Sequence, residues 1–250
     1  AGRLSDALRL SAILSWGLGL YSLTLPKGPM HGQSAPFAPW QAIGTFLRPS
    51  LLVLCVASFF NCIVHQFLYY GMSPYLAHLG VPNRYLMPVM SVGQASEVVV
   101  MGFMWWFTPR LGIRRLLLIG VLMQAFRYAL FAFVPSVPFV ILGIATHGFC
   151  FCFFFLVAYV YVDQQAGPYE RARAQQLYNM IFSGVGNLAG FLVAGWTADT
   201  FTIAGSDAVD YRWFWFVPGA LAVAIGVGLA LFFREEPSWT ERHAHRAAAP

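Results

Sequence analysis

Charge is scarce in this chain. Of its 250 residues only 10% are Asp, Glu, Lys or Arg, and Lys27 is the sole lysine. A soluble domain carries about a quarter charged residues, so a water-facing globule is excluded. Also missing are segments of about ten residues with alternating polarity, which a membrane barrel would need. The four cysteines, Cys55, Cys62, Cys150 and Cys152, all fall in apolar runs, where a thiol acts as a small apolar group and no disulfide framework is expected. Cys150 and Cys152 are two apart and project to different sides of a helix, which argues against a metal site. No repeat with a period of about 20–50 residues recurs, so this is no solenoid. No nucleophile and base pair up at a membrane face, so an enzyme is not expected, and nothing calls for a cofactor.

What is present is apolar: 58% of the residues, with a mean hydropathy of +0.63. Runs of about 18 or more such residues cross a hydrocarbon core as helices. Seven are expected, near 7–25, 51–79, 84–107, 115–134, 139–162, 174–199 and 212–233, giving an all-α membrane protein. The first does not read as a signal peptide: it lacks a small-residue cleavage site and "TLPKGPMHG" follows it. The chain opens without Met, and the expectation is that it begins partway into a longer protein.

Basic residues in short loops mark the cytoplasmic side. Lys27 and Arg48 follow the first run, Arg110, Arg114 and Arg115 the third, Arg171 and Arg173 the fifth, and Arg234, Arg242 and Arg246 the seventh. The opposite loops hold Arg84 and Arg212 only, so the C-terminus is expected in the cytoplasm. The stretch "PKGPMHGQSAPFAPW" has linker composition. It divides the chain into a leading helix (1–25), a cytoplasmic linker (26–50), a six-helix bundle (51–233) and a polar tail (234–250), whose His243 and His245 read as solvated and which is expected to be mobile. One helix, a linker and six more helices match half of a major facilitator-type transporter: helix six plus helices seven to twelve, with the N-terminal half missing.

A carboxylate at the centre of a spanning helix costs on the order of 2.5–3.5 kcal/mol, so one that is there faces the bundle interior. Glu97 stands midway along the third run, with Gln94 on the same face. Arg127 lies at comparable depth in the fourth run, and His147 in the fifth, one turn before Phe151. Two readings are open. Glu97 and Arg127 form a structural ion pair, or Glu97, Gln94, His147 and part of the second run line a wet cavity in which Glu97 takes and releases a proton as the cavity opens to either face. From the second run, His65, Gln66 and Tyr69 share one side of a helix, with Ser73 a turn on and Pro74 bending the ladder. Gln66 and Tyr69 can bond hydroxyls or a heterocycle edge, while Phe151 can stack on a planar ring. His65 reads equally as packing or as ligand contact. In the sixth run Gly186 and Gly190 have the spacing of close helix approach, and Asn187 reads either way.

Four strings taken in order, "YSLTLPKGP", "SVGQASE", "RLGIRRLLLIGVLMQAFRYALFAF" and "YVDQQAGPYERARAQ", resemble the nucleoside:proton symporters over nearly the whole chain. The loop "GFMWWFTPRLGIRR" is similar to a degraded superfamily signature, with Thr108 and Pro109 where an acidic residue is usual. The resemblance implies a proton-driven importer of nucleosides in a bacterial inner membrane, partnered by lipid, protons, nucleoside and the missing half, but by no nucleic acid. It also implies that Gln66, Gln94, Glu97 and Phe151 contact the nucleoside. Tyr69 stands where relatives have Asn, His147 where they have Tyr, and Cys152 where they have Asp. The last removes an ionisable group, leaving Glu97, His147 and Arg127 as the candidates for proton coupling.

Seven helices also describe a receptor or a retinal protein. Retinal needs a lysine in the last helix, and Lys27 lies in a loop. A receptor would carry a charged triplet after its third helix and an Asn-Pro turn in its last. A carrier of sugar or another polar solute would use the same cavity and remains the alternative.

Overall fold

The computed structural model describes residues 2–25, 43–168, 170–206 and 208–242. Lys27, His243, His245, Arg246 and most of the expected linker fall outside them. The chain divides into two units, Ala1–Pro36 and Phe37–Pro250.

The first unit holds α1, Gly2–Ser22. Its last carbonyls, which have no partner further along the helix, accept from hydroxyls: Ser22 Oγ donates to Gly19 O (2.6 Å) and Thr24 Oγ1 to Tyr21 O (2.7 Å). Ile13, Leu14, Trp16 and Leu18 are all exposed, so the helix presents apolar surface on every side.

The second unit contains a short turn, α2 (Ile43–Phe46), then α3 (Pro49–His78), α4 (Asn83–Gly102), α5 (Met104–Phe133), α6 (Val137–Gln165), α7 (Arg171–Thr200) and α8 (Tyr211–Phe232). Residues 43–50, read from sequence as linker, thus already carry helix. Pro49 opens α3, where its missing N–H costs nothing. Gly80, at φ 83°, closes it: the amide of Val81 returns to Leu76 O (3.0 Å), a wrap only a left-handed residue permits. Gly112 (φ 73°, ψ 165°) breaks α5, separating the "MWWFTPRL" turns from the long helix after it. Asp210 caps α8 by accepting from the amide of Arg212 (3.1 Å). Two helices contain wide π-helical turns, Phe151–Leu156 in α6 and Met180–Gly186 in α7.

Five of these helices, α3, α5, α6, α7 and α8, are long and apolar enough to cross a membrane. α1 and α4 have the length, at 21 and 20 residues, but are more polar. The polarity of α4 comes from the residues that matter below.

The core sits where α3, α5 and α8 meet. Trp215 is fully buried, stacked on Tyr128 (5.6 Å, 18°) and edge-on to Phe131 (5.2 Å). Tyr75 reaches in from α3 and donates to Phe131 O (2.7 Å), satisfying a phenol that burial would otherwise penalise. On the other flank Tyr178 of α7 donates to Ser58 Oγ of α3 (2.8 Å).

One end of the bundle gathers arginines. Arg48, just before α3, donates to Gln165 O (3.2 Å), and Arg114 donates to Ala230 O (2.7 Å). Residues 234–242, expected to be mobile, are docked here instead. Arg242 binds both Gln165 Oε1 (2.5 Å) and Gln165 O (3.1 Å), Gln165 Nε2 donates to Glu236 O (3.1 Å), and the amide of Glu236 donates to Tyr161 Oη (3.2 Å). The indole of Trp239 lies against Gly167, where a Cβ would come within 3.1 Å of it. Backbone groups at the C-terminal end of α6 need partners, and the tail supplies them.

Candidate functional site

The site is positioned by a close approach of α4 to α6. At Gly148 a Cβ would lie 2.4 Å from Ser96 O and 2.8 Å from the amide of Glu97, so only glycine lets the two backbones meet. Ser96 Oγ secures the contact by accepting from the amide of Gly148 (2.9 Å). Next to each of these lie the reactive groups: Glu97, just after Ser96 on α4, and His147, just before Gly148 on α6. Their nearest atoms, Glu97 Oε2 and His147 Nε2, are 3.7 Å apart.

His147 is buried; the Glu97 side chain is 23% exposed and so reaches the open face of the bundle. On its other side His147 Nδ1 stands 3.3 Å from Arg127 Nη1. A guanidinium can only donate. Nδ1 must therefore accept, which puts the ring proton on Nε2, facing the carboxylate. Arg127 is entirely buried. Its second nitrogen donates to Gln124 Oε1 (2.9 Å) and to Tyr128 Oη (3.4 Å), with the guanidinium 4.9 Å from the Tyr128 ring centre. Gln124 Nε2 in turn donates to Asn61 Oδ1 (2.7 Å), and Tyr128 Oη donates to Val64 O (2.5 Å). A polar line thus runs from α3 through α5 to His147 on α6 and ends in the 3.7 Å approach to Glu97 on α4. Along it Asn61 Nδ2, Arg127 Nε and His147 Nε2 remain without a hydrogen-bond partner.

Glu97 and Arg127, read from sequence as a possible direct ion pair, are joined through His147 instead. The aromatic members collect around the same ring: Phe151 is stacked with His147 (6.3 Å, 16°), His65 stacks on it from α3 (5.2 Å, 30°), and Tyr69 meets it edge-on (6.3 Å). Gln94 and Tyr69 border a small cleft with Met90, Gly93 and His147. Gln66, next to His65 on α3, points instead to α7, where its Nε2 donates to Asn187 Oδ1 (2.5 Å), which also accepts from Cys62 Sγ (2.9 Å). Asn187 thus belongs with Gln66. Gly190 makes room: a Cβ there would stand 2.6 Å from Gln66 Cγ. Cys152 is buried, its thiol 3.6 Å from Glu97 O, so it supports the α4 backbone rather than the open face.

The sequence reading missed Asn61, Gln124 and Tyr128. The first two are polar side chains inside apolar runs, the same signal that singled out Glu97, and Gln124 precedes Arg127 by one turn.

The fold is a transporter's. Superposed on a crystal structure of nucleoside transporter NupG, the chain gives a TM-score of 0.67 at 24% identity, with 91% of this chain and 60% of that one aligned. The chain belongs to the Nucleoside H+ symporter family, whose model matches residues 4–238. It is similar to YegT of Escherichia coli K12, described as a nucleoside transporter (30% identity over 74% of this chain and 45% of that one), and to Nucleoside permease NupG of the same organism (26%, 95% and 62%). Xanthosine permease of that organism is 27% identical over 92% of this chain and 58% of its own length. The chain therefore spans about half to three fifths of the curated relatives it matches.

Proposed function

We propose that this chain forms the C-terminal part of a proton-coupled carrier that imports nucleosides across a bacterial inner membrane by alternating access. The observation that carries this reading is the partly exposed carboxylate of Glu97 facing a histidine whose tautomer is set by a buried arginine. α1 and α4 join the five apolar helices as spans, making seven, and the N-terminal six-helix half, of which α1 is the last helix, forms the other wall. The end that holds Arg48, Arg114 and Arg242 is the cytoplasmic one in this reading, with the C-terminus inside; its concentration of arginine supports that orientation.

In this reading an ionised Glu97 is balanced by Arg127 through neutral His147. Protonation of Glu97 loosens that balance and frees the carboxyl to bond a ribose hydroxyl. The base stacks on Phe151, extended by the parallel ring of His147, while Gln94 and Tyr69 contact its polar edge. Gln66, aligned by Asn187, presents its remaining amide capacity to the same face. Site and coupling residues are then Gln66, Tyr69, Gln94, Glu97, His147 and Phe151, with Arg127 behind them.

The test is uptake into proteoliposomes containing the full-length protein. Labelled uridine should accumulate when a proton gradient is imposed, and a labelled sugar should not. Glu97→Gln should abolish uphill accumulation while sparing some exchange. Normal uphill uptake by that variant defeats the assignment.

A further inference from the structure

Asn61 and Gln124 touch neither the open face nor Glu97, yet both are wholly buried in the bundle. Burying two amides is costly, the more so because Asn61 Nδ2 has no hydrogen-bond partner, so an apolar pair would serve packing better. Their bonding has a definite sense. Gln124 turns its oxygen to the donor-only Arg127, 2.9 Å from Nη2, and its nitrogen to Asn61 Oδ1 (2.7 Å), which holds the amide in that sense. With Nη2 held there and by Tyr128, Nη1 is left aimed at His147 Nδ1 (3.3 Å). Were the amide turned over, two donors would face each other and the guanidinium would have to leave.

We propose that Gln124, oriented by Asn61, is a positioning residue for proton coupling: it holds Arg127 so that His147 keeps its ring proton on Nε2, toward Glu97. The groups facing His147 are Arg127 from α5, Glu97 from α4, Phe151 on its own helix, and His65 and Tyr69 from α3. Among these Arg127 is the fixed charge, and the two amides decide where it points. The oriented line acts like the partner that fixes a catalytic or metal-bound imidazole by occupying its other nitrogen.

This rests on the reading of the protein as a proton-coupled carrier, and the experiment separates the two. In proteoliposomes of the full-length protein, proton-driven nucleoside accumulation and simple exchange are measured across pH for Gln124→Leu, Asn61→Leu and the double variant. Gln124→Leu should lower the ratio of accumulation to exchange by about tenfold and move the pH midpoint of accumulation by about one unit. Asn61→Leu should act in the same direction, and the double variant should go no further than Gln124→Leu, because Asn61 acts through it. If accumulation and exchange fall together with the pH profile unchanged, or if the two substitutions add, the proposal is overturned. Should Gln124→Leu fail to reach the membrane, Asn61→Leu is judged by the same profile. No uphill uptake by the parent protein overturns the carrier reading; uphill uptake intact in Glu97→Gln overturns the coupling role of Glu97 and this proposal with it; loss in Glu97→Gln beside an unmoved profile in Gln124→Leu overturns this proposal alone.

Discussion

Gly148 and Ser96 touch backbone to backbone: a methyl group on Gly148 would lie 2.4 Å from the carbonyl oxygen of Ser96. That contact sets the distance between the carboxylate on one helix and the imidazole on the other. Backbone cannot swing aside as a side-chain tip can, so Gly148→Ala must part the helices. Overpacking of this kind costs about 1–3 kcal/mol. A lower melting temperature in detergent and a fall in uptake are expected together; an unchanged melting temperature would show that α4 and α6 are looser than described.

Gly190→Ala presses on Gln66, whose Cγ would be 2.6 Å from the new carbon, and on Ile63 Cα at 3.1 Å. Displacing Gln66 breaks its bond to Asn187. The KM for nucleoside should rise about tenfold, the equivalent of about 1.4 kcal/mol. Gly184→Ala, with open space around it, is the control and should stay within about 0.5 kcal/mol of the parent. Equal KM values for the two variants would remove Gln66 from the binding face.

Arg127→Leu strands Glu97 and leaves Gln124 Oε1 without its donor. Adding Glu97→Gln removes the charge that Arg127 had balanced. Thermal melts should show the double variant more stable than the sum of the singles predicts, with a coupling of about 0.5–3 kcal/mol. Simple additivity would mean that His147 does not transmit the interaction.

At the arginine-rich end, Arg242→Ala removes two bonds to Gln165, each of the charge-assisted kind worth about 1.5–3 kcal/mol at most. Amide exchange across residues 234–242 should speed up while α6 itself stays protected. Unchanged exchange in that segment would assign its docking to Trp239 and Glu236 instead.

The long helices were legible because composition alone marks a segment that must bond its own backbone in lipid. α4 was legible as a run but sits at the margin, since Gln94, Ser96 and Glu97 dilute its apolar character. Glu97, Arg127 and His147 stood out as polar side chains where none is cheap, and they do converge. Their order could not be read: whether Glu97 meets Arg127 or His147 depends on how closely Gly148 lets two helices approach, and a one-dimensional pattern holds no such distance. Asn61 and Gln124 carry the same signal, but their link to Arg127 depends on α3 lying against α5, which the pattern does not hold. The docking of residues 234–242 was invisible, since it depends on carbonyls left open at the end of α6, not on the tail's own composition.

The wide turn at Phe151–Leu156 has one more consequence. Such a turn accommodates an extra residue, and each residue of a regular helix subtends about 100°. Everything after Leu156, including Tyr161 and Gln165 in the interior, is therefore dialled round relative to His147 by that amount. A regular α-helix with the same number of residues would leave the imidazole where it is and swing Tyr161 and Gln165 away from the tail residues they bond. Residue count, as much as residue identity, holds this wall in phase.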